Sequence, residues 1–233
     1  MRRPLLAASL TAFATVFVFS QCRAAELFGL SPGPVELQSA GPIAFGPSGV
    51  LFVGDAQAAC IYAINTEDKG DQSAAAYDIQ NVSAKLSEAF EGQDVAVADL
   101  AVNPETGNLF LTVTAGDTPA IAKVTPDGKV SRLNLDKIGN AVASLPDPPE
   151  DKVVQRGRRS SNARKQSITD VAYADGRLLV AGLSAADSPS TVREFDFPFR
   201  EKSHGMQVEI YHAAHGRNED YAAIQTFVPF NIG

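Results

Sequence analysis

Catalytic signatures are the first thing this sequence lacks. No G-x-S-x-G occurs, so a serine-hydrolase elbow has no support. No Cys-x-x-Cys-His occurs, which excludes covalent haem attachment, and there is no HExxH zinc helix. Basic residues are in deficit: 20 Lys and Arg stand against 27 Asp and Glu, a net charge of −7. Such a chain carries no electrostatic footprint for nucleic acid and is ill suited to docking on an anionic membrane. Cysteine is limited to Cys22 and Cys60, and tryptophan is absent, which by itself decides nothing. A single long apolar run, Leu5 to Phe19, breaks the otherwise mixed hydropathy.

That run follows Arg2 and Arg3 and precedes Cys22-Arg23-Ala24, the layout of a secretory signal peptide over residues 1–24. It is short for a membrane span and has the wrong flanks. Lipidation at Cys22 is the competing reading, but Gln21 stands where a small residue is wanted. The sequence therefore predicts a periplasmic or secreted protein beginning near Ala25, with no membrane insertion after cleavage. Cleavage removes three basic residues and no acid, taking the net charge from −7 to −10. It also leaves Cys60 alone, so that the thiol is either free and missing a partner, or packed as a small apolar group in a strand.

What is present is repetition. GPIAFGPSGVLFVGD (41–55), ADLAVNPETGNLFLTVT (98–114) and TDVAYADGRLLVAGL (169–183) share an apolar run, a turn, and a second apolar run, in phase around Ala44, Ala101 and Ala172. Repeats of this kind decide architecture. The turns carry their own mechanism: in Pro-Glu-Thr-Gly and Pro-Asp-Gly, Pro fixes φ and Gly accepts positive φ. Each unit extends to four strands, the expected composition of a β-propeller blade. In unit one (41–80) the strands are Pro42–Phe45, Val50–Gly54, Cys60–Ile64 and a weaker Ala75–Ile79. In unit two (98–134) they are Leu100–Val102, Leu109–Val113, Ala120–Val124 and Val130–Leu133. In unit three (168–212) they are Val171–Tyr173, Arg177–Gly182, Thr191–Phe197 and Met206–Tyr211. A fourth unit opens at 223–233. The fold class predicted is all-β, with about three and a fraction blades. An open array leaves unpaired edges, so the expectation is an incomplete chain with about half of a propeller downstream; the rival is a complete chain capped by a second copy.

Between units two and three, residues 136–167 form an insertion. Ile138–Leu145 reads as a short helix, and LPDPPED as a turn or extended linker. Arg156, Arg158, Arg159, Arg164 and Lys165 gather basic charge without an acid, either as an anionic-ligand or partner site or as a solvated loop. Asp99 and Asp170 hold equivalent places at the start of their inner strands. There they either ring a cation or polar ligand at a central channel or cap the turns that lead into the strands. Unit one carries Ser39-Ala-Gly41 at that point. His212 and His215, with Glu219 and Asp220 close behind, are the candidate metal ligands; the competing reading is ordinary surface histidines on a loop.

On these strands and turns the chain resembles six-bladed propellers, the NHL-repeat proteins and the group containing the gluconolactonases (senescence marker protein type) and strictosidine-synthase-like proteins. YHAAHGR and PFNIG also resemble part of a family of exported bacterial proteins. The gluconolactonase resemblance implies a divalent-metal lactone or ester hydrolase with a Glu just before the Gly-Pro of the first blade. Here Ala40 stands there, and Glu36 lies four residues earlier, roughly 13 Å away along a strand. Two functions therefore stay open: a non-catalytic module binding a protein or small molecule without a cofactor, and a metal-dependent hydrolase.

Overall fold

The computed structural model describes residues 28–70, 76–186, 189–200, 203–207, 211–212, 216–218 and 222–230. Residues 1–27, which hold the expected signal peptide, and His215, Glu219 and Asp220 lie outside these, as do the side chains of Arg156 and His212. The protein is all-β in antiparallel sheets. Among the described residues no helix is long and apolar enough to cross a membrane.

Among the described residues the principal elements follow in order: β1 (Ser31–Gly33), β2 (Ile43–Phe45), β3 (Val50–Asp55), β4 (Cys60–Asn65), α1 (Val82–Ala89), β5 (Val95–Val102), β6 (Leu109–Ala115), β7 (Thr118–Val124), β8 (Val130–Arg132), β9 (Ile138–Ser144), β10 (Val153–Arg156), β11 (Arg159–Asn162), β12 (Asp170–Ala174), β13 (Arg177–Leu183), β14 (Ser190–Asp196), β15 (Ser203–Gln207), β16 (Tyr211–His212) and β17 (Arg217–Asn218). Units two and three form four-stranded meanders, β5-β6-β7-β8 and β12-β13-β14-β15.

Unit one departs from expectation. Residues 76–79 are not a strand. Tyr77 and Ile79 instead pack onto the second sheet, and the Tyr77 hydroxyl donates to the Gly107 carbonyl at 2.7 Å. The fourth place beside β4 is taken by β9, where a helix was expected. Its pairing explains the change: Cys60↔Ser144 through Ile64↔Asn140 supply ladder partners that a helix would forgo, and β1 adds a fifth strand at Ser31↔Asn140. Ala and Asn between Ile138 and Val142 leave local propensity weak enough for this tertiary pairing to win.

The sheets do not stack in chain order. One face of the first sheet (Ile43, Leu51, Val53, Ile64) packs on Phe110 and Ile121 of the second. Its opposite face (Val50, Phe52, Ile61, Ala63) packs on Val171, Leu178, Val180 and Phe195 of the third. The far face of the second sheet is covered by Leu86 and Phe90, on α1 and at its end. The spatial order is thus α1, second, first, third, and β2 neighbours both β5 and β12. The alternation of strand residues makes this possible, since β2, β3, β4 and β9 of the middle sheet each feed two cores. The 136–167 insertion is likewise more ordered than a loop. It holds β9, the β10–β11 hairpin and a 3₁₀ turn over Ala163–Gln166.

Candidate functional site

A cavity of about 600 Å³ opens beside β2, β5 and β12, each an edge strand of its sheet. Its wall includes Gly41 and Pro42, Ala98 and Asp99, Thr169 and Asp170. Lys165, Gln57, Gln225 and Thr226 complete its rim. Local chemistry builds the approach to it. A Cβ on Gly41 would lie 1.9 Å from the Gly54 carbonyl oxygen, so only glycine lets the chain come down against β3. In β5 the register shifts between Val97 and Asp99, a bulge that leaves Ala98 unpaired and exposed and re-aims the following carboxylate. Asp55 is fully buried and shapes the facing rim, accepting from Gln38 N (2.6 Å), Ser39 Oγ (2.7 Å) and Ala58 N (3.0 Å).

Asp99 and Asp170 are therefore brought to one cavity. Asp99 accepts from Leu100 N and, across the sheet boundary, from Ile43 N, both at 2.8 Å. Asp170 accepts from Val171 N at 2.8 Å and from Phe227 N at 2.9 Å. Asp170 thus caps the start of β12, whereas Asp99, expected at the start of its strand, lies inside β5 at the bulge because pairing with β6 extends the strand back to Val95; each acid ties down a neighbouring segment. The register also corrects the equivalence drawn for unit one. Asp99 faces Thr112 and Asp170 faces Ala181, while Gly54 N donates to the Pro42 carbonyl. Pro42, not Ser39-Ala-Gly41, occupies the aspartates' place. A carboxylate has about four lone-pair sites. With one backbone N–H on each oxygen, each aspartate keeps acceptor capacity for a ligand hydroxyl, amine or cation, at a fixed orientation.

Of the basic sequence candidates, Lys165 lies on this rim, whereas Arg158 and Arg159 do not line the cavity. Arg158 and Arg159 are exposed on the β10–β11 hairpin, where Arg156 and Arg159 are cross-strand partners. His212 pairs with Arg217 in a two-stranded ladder. Among the described residues no three His, Cys, Asp or Glu side chains converge as a metal-ligand set. Glu36 is exposed, and its carbonyl accepts from the Tyr62 hydroxyl at 3.3 Å. Cys60 is a buried, free thiol in β4. Burial, seconded by the Asp55 charge, pushes it up to about 11.

Sequence reasoning missed a buried polar hub at the turn that follows β4. Asp68 accepts from Thr106 Oγ1 (2.5 Å), Asn103 Nδ2 (2.8 Å) and Asn108 Nδ2 (2.9 Å), and pairs with Lys123. Burial works to raise this carboxyl, but those four donors outweigh it and hold it below its ordinary value of 3.8. The hub fastens the turn after β4 to the Asn103–Asn108 turn. The available signal was the N-P-x-T-G-N turn, which supplies three of its donors.

Comparison with protein-family models gives no match for this chain, and comparisons with curated proteins and with solved structures give no significant match either.

Proposed function

We propose that this chain is an exported, propeller-like binding module that takes a small polar ligand in the cavity beside β2, β5 and β12. One observation carries the reading: two aspartates at equivalent repeat positions, 71 residues apart in sequence, line one 600 Å³ cavity with fixed carboxylates. Cavities of this size suit small molecules. Each carboxylate oxygen is held by a backbone N–H, an arrangement that favours presenting fixed acceptors over moving as a nucleophile. Export follows from the Arg2–Ala24 pattern. Architecture alone does not separate binding from catalysis in such folds, so the test addresses both. Thermal melts of the protein are recorded with a panel of neutral polyols, primary amines and Ca²⁺, each with and without chelator. Stabilisation by an organic member, unchanged by chelator, is the expected result. Stabilisation by Ca²⁺ alone, lost in Asp99→Asn, would replace this reading with the metal-dependent hydrolase.

A further inference from the structure

A second cavity, of about 590 Å³, opens on the other side of Lys165. Lys165 lies in the wall of both cavities. The polar groups of the second cavity come from three segments. Ser160, Ser161 and Asn162 are on β11, and Gln166 ends the 3₁₀ turn beside them; Ser184 follows β13 on the opposite wall.

Among the described residues this lining is rich in hydrogen-bond donors. The described lining residues include no acid, in a chain whose net charge is −7. Lys165 has no ion-pair partner among the described residues. Ser184 Oγ accepts from Ala186 N at 3.3 Å, which leaves its proton to donate. Asp151, which flanks Asn162, accepts from Asn162 Nδ2 (2.7 Å) and Gln57 Nε2 (2.5 Å) and keeps its negative charge, which Arg164 and Lys165 offset. Asn162 is held in turn by accepting from Arg164 N at 3.0 Å. Arg159, exposed at the start of β11, adds positive potential beside Ser160. An ammonium with hydroxyl and amide donors around it is the arrangement that charge-assisted recognition of an oxyanion requires.

We infer that this second cavity is an anion-binding site for the phosphate or carboxylate group of a small molecule. Lys165 supplies the charge, and Ser160, Ser161, Ser184 and Gln166 supply donors. The site stands apart from the aspartate cavity and does not depend on the function proposed for it. The shared Lys165 wall lets one ligand place an anionic group here and its donor groups against Asp99 and Asp170.

The probes are inorganic phosphate and acetate, titrated into the protein by calorimetry against matched sodium chloride. Saturable binding of either is expected, and which of the two binds distinguishes phosphate from carboxylate recognition. Lys165→Gln is expected to weaken it about tenfold, from loss of one charge-assisted contact, and Lys165→Arg to retain it. Ser161→Asp, which puts a carboxylate in this cavity only, is expected to abolish it. Lys69→Gln, an exposed charge on a different loop, is expected to leave it unchanged. All three positions are exposed, and melting curves check that each variant folds. No saturable binding of either anion above chloride, or binding that survives Ser161→Asp in a folded variant, overturns the inference.

Discussion

Replacing Asp68 with alanine tests how the first and second sheets are fastened. The carboxylate is nearly inaccessible, with 3% of its side chain exposed, whereas Lys123 retains 27%. On truncation Lys123 re-enters water at little cost. Asn103 keeps its 2.9 Å bond to the Asp68 carbonyl. Thr106, which is buried, and Asn108 lose their acceptor outright. Three lost side-chain bonds at about 1 kcal/mol each, with one buried hydroxyl left unsatisfied, give about 3 kcal/mol. For a protein of this size that is a fall of about 6–12 °C in Tm. Urea unfolding followed by circular dichroism measures it. The Lys123→Met single variant and the double variant isolate the charge pair, for which a coupling of about 1 kcal/mol is expected. The hub also makes a pH signature. Because the folded-state carboxyl is held below 3.8, its contribution is present above that pH and lost as pH falls through the depressed value. Asp68→Asn should therefore flatten the acid limb of the stability curve. A loss below 1 kcal/mol in Asp68→Ala, or an unchanged acid limb in Asp68→Asn, would refute the reasoning.

Three further outcomes follow from single residues. Arg193 is 2% exposed and donates to Asp147 Oδ1 (2.8 Å), Leu183 O (2.8 Å) and Ser167 O (3.3 Å); Arg193→Met should cost about 3 kcal/mol in urea, because two buried carbonyls lose a donor. Gly182→Ala would put a Cβ 2.1 Å from the Ser167 carbonyl oxygen, and should lower stability by about 1–3 kcal/mol through forced backbone shifts. With Cys22 replaced by serine, Cys60 should react with a thiol reagent at pH 8 only after denaturation. Its folded-state value of about 11 exceeds the ordinary 9.0, so stability should fall between pH 9 and 11 in that protein and not when Cys60 is also alanine.

Much of the strand pattern was legible because it is written locally. Val50–Asp55 and Leu109–Ala115 are β-rich runs bounded by Pro- and Gly-containing turns, and these signals need no distant partner. The helix α1 left a signal as well, Val82, Leu86 and Ala89 at helical spacing, which the repeat pattern overshadowed. β9 was not legible. Ile138–Ser144 becomes a strand only through pairing with β4, about 80 residues earlier, and nothing within the segment announces that. The stacking order was hidden for the same reason, since it depends on β9 carrying the chain from the second sheet back across the first. At the site, alignment of the repeats singled out Asp99 and Asp170. Their partners could not be read: Ile43 lies 56 residues from Asp99, and Phe227 lies 57 from Asp170. Lys165 was visible only as one member of a basic cluster, and its role emerges from the two cavities on either side of it.

The account rests on the aspartate cavity being the place where a ligand binds, and Ala98→Trp tests that most directly. Ala98 sits exposed at the β5 bulge and lines the cavity without holding either carboxylate, so an indole there fills the space and spares the anchors. Amide shifts of Leu100, Val171 and Phe227, whose N–H groups bond the two aspartates, are recorded while the best-stabilising member of the polyol and amine panel is titrated. The account predicts saturable shifts at these three amides in the native protein, and their loss in a folded Ala98→Trp protein. Saturable binding that leaves the three amides unmoved, or that persists with the indole in place, would contradict it.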